Sequence, residues 1–385
     1  MTATMTGRQR MLAAYRGQPV DRAPIWLREG FPVGEPYPAP DDFSNGWMHE
    51  PLYQALYQDI APHADAMVGW GFGGWGNRYL MVPPDCIHTT ERQISPDAIR
   101  IYGTITTPRG DLTFINERKR HDATTWYVKP PVETVEDLKK LAEVPFSVSP
   151  GDLEPYLAHY QEALDTVGER GVVRTSFSSP IVCISHCMSF DTFLEMTITQ
   201  NHFFHELLQE LTRRGLAIID ALFGGRALDT VVNFGGSEQC TPPMMAPQAF
   251  DEFVVPYDGP MVARLKEYGI ITSCHCHGKI RHALRCIRDM GFDGTDPVEP
   301  PPAGDVTYAE AREIVGDQVT LIGNLEWSEL CFAEPAHIRN RVKELLSLGN
   351  RRLILSTSAG PTGPITPRLA ENYRAFVETA LEYGG

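Results

Sequence analysis

Short runs of apolar residues alternate along this chain with longer segments whose apolar residues recur at helical spacing. Runs that are apolar almost throughout are typical of parallel strands buried on both faces of a sheet. Eight such strand and helix units in one chain predict a (β/α)₈ TIM barrel of the α/β class. The predicted strands occupy residues 25–27, 64–70, 172–177, 230–236, 270–277, 292–299, 319–324 and 352–358.

A doubly wound parallel sheet is the alternative for the same alternation. That fold usually carries a glycine-rich phosphate-binding turn after its first strand. The stretch Gly69–Gly76 is rich in glycine, but it lacks the G-x-G-x-x-G spacing in front of a helix. The pattern therefore favours the barrel.

Two segments stand outside the alternation. Residues 1–23 predict an N-terminal helical extension, with Thr6 as the N-cap of its helix. Residues 95–130 alternate in polarity around a Pro-Arg-Gly turn, which predicts a β-hairpin insertion. No internal repeat or polar linker interrupts the rest, so we expect residues 1–385 to form a single barrel domain.

Composition narrows the class of protein. Hydrophobic residues make up 42% of the 385 residues, and 34 basic against 49 acidic side chains give a formal net charge of −15. So acidic a surface argues against nucleic acid or an anionic membrane as partner. No apolar run is long enough to span a bilayer, the N-terminus lacks a signal-peptide core, and eight cysteines follow no disulfide spacing. We expect a cytoplasmic protein that acts on a small molecule.

The motif Cys-His-Cys-His-Gly at the end of a predicted strand is the sharpest chemical feature. Because strand side chains alternate, His275 and His277 should point to one face, where two imidazoles can chelate a metal. Active sites of TIM barrels lie at these strand ends. The alternative is a pair of pocket histidines that only form hydrogen bonds.

Glu299 ends the next predicted strand and is followed by three prolines. A stiff turn of this kind would hold its carboxylate towards the same mouth. Two neutral imidazoles and one carboxylate suit zinc, with a fourth position open to substrate. His275, His277 and Glu299 are therefore the candidate metal ligands, although Glu299 could equally be a surface residue before a loop.

Five segments together resemble the uroporphyrinogen decarboxylase superfamily over nearly the whole chain. Within that superfamily they are most similar to the zinc-dependent methyltransferases that work with cobalamin. The segments are TGRQRMLAAYRGQPVDRAPIW, GGSEQCTPPMMAPQAFDEFVVPY, CHCHGKI, VTLIGNLEWSEL and LILSTSAGPTGPITPRLAENYRAF.

In that branch, zinc is held by a His-x-Cys pair, by a later cysteine and in some states by a glutamate. The resemblance implies His275, His277 in place of the first cysteine, and Glu299. The later cysteine should fall within Ser356–Ala359, where this chain has none. A metal without thiolates is a better Lewis acid towards an oxygen ligand.

The hypothesis is therefore a zinc-dependent O-demethylation. A small methoxylated substrate would lose its methyl group to cobalamin on a separate corrinoid protein. A fused corrinoid domain is not expected, because the chain has no Asp-x-His-x-x-Gly motif.

A decarboxylase or other lyase of the same superfamily is the first alternative. Decarboxylases of the superfamily carry an arginine-rich loop after the first strand and an aspartate after the second. Here a single arginine, Arg28, follows the first strand, and no aspartate follows the second. Arg28 could bind a substrate carboxylate or pair with Glu29 or another structural acid. The second alternative is a binding protein that kept the barrel and lost catalysis.

Further residues are candidates for the pocket. Glu238 could act as a general base or bind substrate. Cys240 could replace a lost thiolate ligand or be a small buried hydrophobe. The remaining candidates for substrate binding, each with core packing or local hydrogen bonding as its alternative role, are Trp70, Phe72, Trp75, His186 and Asn324.

Overall fold

A computed structural model describes residues 4–385, so residues 1–3 of the expected N-terminal extension lie outside the described part. The strands are β1 (Ile25–Trp26), β2 (Ala66–Gly69), β3 (Ile87–Ser95), β4 (Ala98–Ile105), β5 (Leu112–Lys119), β6 (Thr125–Lys129), β7 (Gly171–Ser178), β8 (Val231–Gly235), β9 (Ile271–His275), β10 (Gly294–Asp296), β11 (Thr320–Leu325) and β12 (Leu353–Thr357).

The helices fill the connections between these strands and cover the outside of the sheet. They are α1 (Gly7–Arg16), α2 (Pro51–Ile60), α3 (Val135–Ala142), α4 (Pro150–Leu153), α5 (Leu157–Val167), α6 (Pro180–Ser185), α7 (Phe190–Thr199), α8 (Asn201–Phe223), α9 (Gln248–Phe253), α10 (Val255–Glu267), α11 (Arg281–Met290), α12 (Tyr308–Val315), α13 (Trp327–Phe332), α14 (Pro335–Ser347) and α15 (Pro367–Tyr383).

Eight parallel strands form one sheet in the order β1–β12–β11–β10–β9–β8–β7–β2. The two end strands, β1 and β2, meet at a seam where Asp65 replaces a regular ladder. Its backbone N–H donates to Ile25 O at 2.7 Å, and its carboxylate accepts from Ile25 N at 2.9 Å. The sheet is thus nearly closed, and the TIM-barrel prediction is confirmed.

The barrel interior changes character along its axis. One layer of inward side chains is apolar and packs against α1, whose Tyr15 is fully buried at the amino-terminal end. Two residues further along the same strands, the inward positions are polar, as the period of two dictates. The apolar layer is Trp26, Met67, Val172, Val231, Ile271, Ile322 and Ile354, and the polar positions include Arg28, Arg174, Asn233, Ser273 and Ser356.

The helix α1 begins where the sequence predicts. Thr6 forms a capping box with Gln9, and Gly17 ends the helix at φ +64°. A residue without Cβ suits that left-handed position. The helix therefore has fixed ends and a fixed buried face, and it closes the barrel at the amino-terminal ends of the strands.

The region of the expected hairpin is a four-stranded antiparallel sheet. The strands β4 and β5 pair around the Pro-Arg-Gly turn, and β3 and β6 add one strand on each side. The sheet therefore starts at Ile87, before the expected boundary at residue 95. The strand β3 is largely exposed, so it lacks the polar and apolar alternation by which a half-buried strand is detected.

Strand β10 is shorter than its apolar run. It ends at Asp296 because Pro297 has no N–H to donate to a ladder. Glu299 therefore lies in the loop after the strand. Among residues 4–385, no helix has both the length and the apolar composition needed to cross a bilayer.

We expect Asp65→Ala to destabilise the fold by about 3 kcal/mol. The Asp65 side chain is 2% exposed and also pairs with Arg10 at 2.5 Å and Arg22 at 2.9 Å. Its loss removes the acid partner of Arg22 and leaves the buried Arg10 with only one of its two carboxylates. Urea unfolding measures the change. Asp59→Ala, which removes the half-exposed partner of Arg374, is the control and should cost less than about 1 kcal/mol. Equal effects of the two substitutions would contradict the role of Asp65 at the seam.

Candidate active site at the carboxyl ends of the strands

The two histidines of the sequence motif lie together at the barrel mouth. His275 is the last residue of β9, and His277 follows in the loop. Their ring centroids are 4.7 Å apart with the ring planes at 82°. About a quarter of the His275 side chain and about a third of the His277 side chain are exposed. Both imidazoles therefore border the same solvent-accessible space.

Each imidazole is oriented by a carboxylate. His275 Nδ1 lies 3.0 Å from Asp296 Oδ2, and His277 Nδ1 lies 3.0 Å from Glu299 Oε1. Because an ionised carboxylate only accepts hydrogen bonds, both Nδ1 atoms must be the donors. The Nε2 atom of each neutral ring then carries a lone pair. This is how metal-binding histidines are commonly held.

Glu299 is engaged through both oxygens. Besides His277, it accepts the backbone N–H of Gly278 at 2.5 Å, and the residue is only 9% exposed. The structure thus places Glu299 behind His277. To bind a metal, Glu299 would have to use an oxygen that already accepts one of these hydrogen bonds. Its role as a metal ligand therefore stays a prediction.

Asp296 is the buried centre of the site. Besides His275, it pairs with the guanidinium of Arg28, and both side chains are 2% exposed. Arg28 also donates to Ser358 O at 3.2 Å and lies 4.8 Å from the ring centroid of Trp26. These contacts agree with the interpretation of Arg28 as the partner of a structural acid.

Arg28 occupies an unusual backbone conformation. Its φ is +63°, in the left-handed region that residues with a Cβ rarely adopt. The buried pair with Asp296 offsets the conformational cost and fixes the end of β1. Strain of this kind is most often found at functional sites.

The pKa values follow from these pairings. Burial alone would raise the pKa of Asp296, but the charges of Arg28 and His275 hold it well below its usual range. Burial would likewise raise the pKa of Glu299, yet the hydrogen bond from His277 lowers it. For His277, burial lowers the pKa, and the bond to Glu299 outweighs this, so that the pKa is raised.

A cavity of about 360 Å³ opens beside this site at the seam between β1 and β2. Arg174 of β7 lines it, with its guanidinium carbon 5.0 Å from the Trp26 ring centroid and its nearest acid, Glu29, at 3.9 Å. Arg174 was not predicted as a site residue from the sequence. The available signal was a charged residue directly after the apolar pair Val172 and Val173 in a strand of the barrel.

Three aromatic candidates line a second cavity of about 300 Å³, which also contacts Gly69 and Arg174. Trp70 donates its Nε1–H to Thr230 Oγ1 at 2.9 Å, and Phe72 stacks on Phe177 at 5.0 Å. Trp75 is less buried than these two. These aromatic side chains therefore line the cavity and also take part in core packing.

Glu238 and Cys240 follow β8 in one short turn. Glu238 Oε2 is buried and has no hydrogen-bond partner among residues 4–385, and the charge of Glu238 contributes to the raised pKa of His277. Cys240 is fully buried, which raises its thiol pKa, as expected for a small hydrophobe. Of these two residues, only Glu238 has a polar atom without a hydrogen-bond partner in the described part of the chain.

His186 and Asn324 are engaged away from the two mouth histidines. His186 contacts Arg78 at 3.2 Å and lines a separate cavity of about 280 Å³, and burial with the Arg78 charge lowers its pKa to about 4. Asn324 is fully buried, donating to Val298 O at 2.6 Å and accepting from Arg341 at 3.1 Å. It joins β11 to the loop after β10 and to α14.

The donors at the mouth fit zinc in kind. Two imidazoles with free Nε2 atoms, and the unpartnered oxygen of Glu238 nearby, are nitrogen and oxygen ligands that zinc accepts. Side chains there would still have to close around an ion. Within residues 4–385, the three donor atoms that already lie within 4.8 Å of one another belong to Asp251, His282 and Cys286, a cluster that was not predicted from the sequence.

Fold and site together define a TIM-barrel protein with charged and histidine side chains gathered at the carboxyl ends of its strands. Residues 89–383 match the family model for uroporphyrinogen decarboxylase (URO-D). The chain belongs to that family, which confirms the resemblance seen in its sequence.

Relatives in the family carry two different names. The chain is 25% identical over 224 residues to the methylcobamide:CoM methyltransferase MtaA of Methanosarcina barkeri, covering 57% of this chain and 60% of that protein. It is 24% identical over 380 residues to the uroporphyrinogen decarboxylase of Nostoc punctiforme, covering 97% and 95%. A solved methyltransferase from Methanosarcina mazei has a TM-score of 0.60 at 16% identity, over 98% of this chain and 99% of that one, and shows the same fold.

In metal-free protein, we expect the His277 pKa to lie above the ordinary value of about 6.5 and to fall in Glu299→Gln. Because the His277 pKa is higher in the folded than in the unfolded protein, the ion pair stabilises the fold fully at pH values below the unfolded-state pKa. This stabilisation is lost as the pH rises through the folded-state pKa. Glu299 acts in the opposite direction, because its lowered pKa gives a contribution that is lost on acidification.

Histidine NMR titration measures the shift. Glu329→Gln is the matched control, because Glu329 accepts from His337 at 2.9 Å in a separate pair. It should leave the His277 titration unchanged. An unchanged His277 pKa in Glu299→Gln would show that the contact between the two side chains is absent in solution.

Proposed function

We propose that this protein is a methyltransferase that removes a methyl group from a small methoxylated substrate and transfers it to cobalamin on a separate corrinoid protein. The observation that carries the proposal is the pair of imidazoles at the barrel mouth, each with Nδ1 held by a carboxylate. Support comes from the MtaA relative, whose name couples a methylated cobamide to a methyl acceptor.

Zinc is the cofactor that we propose, with His275 and His277 as ligands through Nε2. Glu299 completes the proposed set, either as a ligand or as the acceptor that orients His277. When bound, the metal would supply a Lewis acid that weakens the bond between the substrate oxygen and its methyl group. Asp296 and Glu299 keep the two imidazoles in the tautomer that this role requires.

A thiol is not the acceptor in this proposal. This chain has no cysteine at the two positions where the methyltransferase branch has one, and the neighbouring Cys274 and Cys276 are buried. A donor set of nitrogen and oxygen is suited to an oxygen substrate, whereas thiolate-rich zinc is suited to activating sulfur.

The substrate should carry an anionic group. Arg174 presents a weakly paired cation to a cavity whose volume suits a small molecule. Trp70, Phe72 and Trp75 would flank a ring in the adjoining cavity. In this proposal, Glu238 acts as a general base or accepts a hydrogen bond from a substrate O–H through its unpartnered Oε2. A methoxylated aromatic carboxylate combines these features.

Decarboxylation is the second candidate, favoured by the nearly full-length match to a uroporphyrinogen decarboxylase. A substrate with several carboxylates would need several free cations, and Arg28 is already engaged by Asp296. The loop after β2, Gly69-Trp70-Gly71-Phe72, offers no acid for a cationic ring. We therefore rank it second.

Methyl transfer from methoxybenzoates to free cob(I)alamin tests the proposal, with the visible spectrum of the cobalamin as the readout. Wild type should methylate the cobalamin, and His277→Ala should lose at least about 100-fold in rate because a metal ligand is gone. His337→Ala, which removes another carboxylate-paired histidine, should keep the wild-type rate. Carbon dioxide release from a carboxylated substrate without methyl transfer would favour the decarboxylase, and equal rates in the two variants would contradict the ligand assignment.

A further inference from the structure

A second group of donor side chains lies on the outer helical layer. Asp251 belongs to α9, whereas His282 and Cys286 belong to α11. One donor atom from each lies within 4.8 Å of the other two. His282 Nε2 is 2.6 Å from Asp251 Oδ2, and Cys286 Sγ is 3.4 Å from Asp251 Oδ1.

The spacing on α11 suits chelation. His282 and Cys286 are four residues apart, so their side chains share one face of the helix. The same spacing places two histidines on one zinc in the H-E-x-x-H motif. Asp251 approaches that face from the neighbouring helix, which makes three donors from two elements.

The donor types and their exposure also fit a metal. Thiolate, imidazole and carboxylate are all zinc ligands, and tetrahedral zinc holds its donors about 3.3–3.8 Å apart. Asp251 is exposed, His282 is partly exposed and Cys286 is buried. A fourth coordination position on the metal would therefore face solvent. Asp289, one turn beyond Cys286 on α11, adds a further negative charge near the thiol.

A nucleophilic role does not fit the same group. Asp251 accepts from both His282 and Cys286, so no imidazole is shown to accept the thiol proton. Cys286 is 8% exposed, and burial together with the Asp251 charge raises its pKa to about 12. A reactive thiol needs the opposite environment.

We propose that Asp251, His282 and Cys286 form a second, structural zinc site that clips α9 to α11. The helix α11 begins just after the loop that carries His277, and α9 follows the turn that carries Glu238. A metal here would hold the outer ends of both loops in place. The site is separate from the proposed catalytic metal and does not depend on it.

Cobalt substitution tests this site on the full-length, chelator-treated protein. A thiolate bound to cobalt(II) gives a near-ultraviolet charge-transfer band, which a site of histidine and glutamate at the mouth does not give. Wild type, His277→Ala and the half-exposed control Cys331→Ser should show this band. Cys286→Ser should abolish it, and His282→Gln should weaken cobalt binding, which covers the case in which the serine variant does not fold.

Zinc should also raise the thermal unfolding midpoint of wild type and His277→Ala more than that of Cys286→Ser. Absence of the charge-transfer band in wild type overturns the proposal, as does a band that survives Cys286→Ser. Loss of the band in His277→Ala would mean that the cobalt-bound thiolate lies at the barrel mouth, which would also overturn the proposal. Failure of the methyl-transfer assay leaves these readings unaffected, because none of them depends on turnover.

Discussion

The buried carboxylate of Asp296 is the group on which the site depends. It binds the guanidinium of Arg28, two residues after β1, and the imidazole of His275 at the end of β9. One acid at the end of β10 thus ties together the carboxyl ends of three barrel strands. A buried charge of this kind is costly unless it is fully paired. Removing the Asp296 carboxylate would therefore disturb both the backbone after β1 and the tautomer of His275.

The seam between β1 and β2 also determines where the cavity beside the candidate site opens. The strands β1 and β2 are joined through Asp65 rather than through a ladder, and the cavity of about 360 Å³ opens just beyond that join. Arg174 faces this cavity from β7 with only a distant acid for a partner. The part of the barrel with the fewest strand hydrogen bonds is thus where we propose that a small anionic substrate enters.

Much of the scaffold could be predicted from the sequence, because buried parallel strands leave apolar runs that are easy to detect. The N-cap at Thr6 and the pairing of His275 with His277 at a strand end follow from local rules. The exposed strand β3 was missed because its side chains lack a polar and apolar alternation.

The partners of the site residues were harder to predict, since they come from other strands. The pairs of Asp296 with Arg28 and of Glu299 with His277 join residues whose proximity depends on the barrel register. The cluster of Asp251, His282 and Cys286 has a local signal in the spacing of the last two residues, but its third member comes from a separate helix. Metal ligation by His275, His277 and Glu299 stays a prediction.

The most direct test of the central claim is anomalous diffraction at the zinc edge, from crystals of protein purified without chelator. The account predicts a peak about 2.1 Å from the Nε2 atoms of both His275 and His277. A map with density at the barrel mouth but no anomalous peak there would contradict it, even if a peak stood beside Cys286.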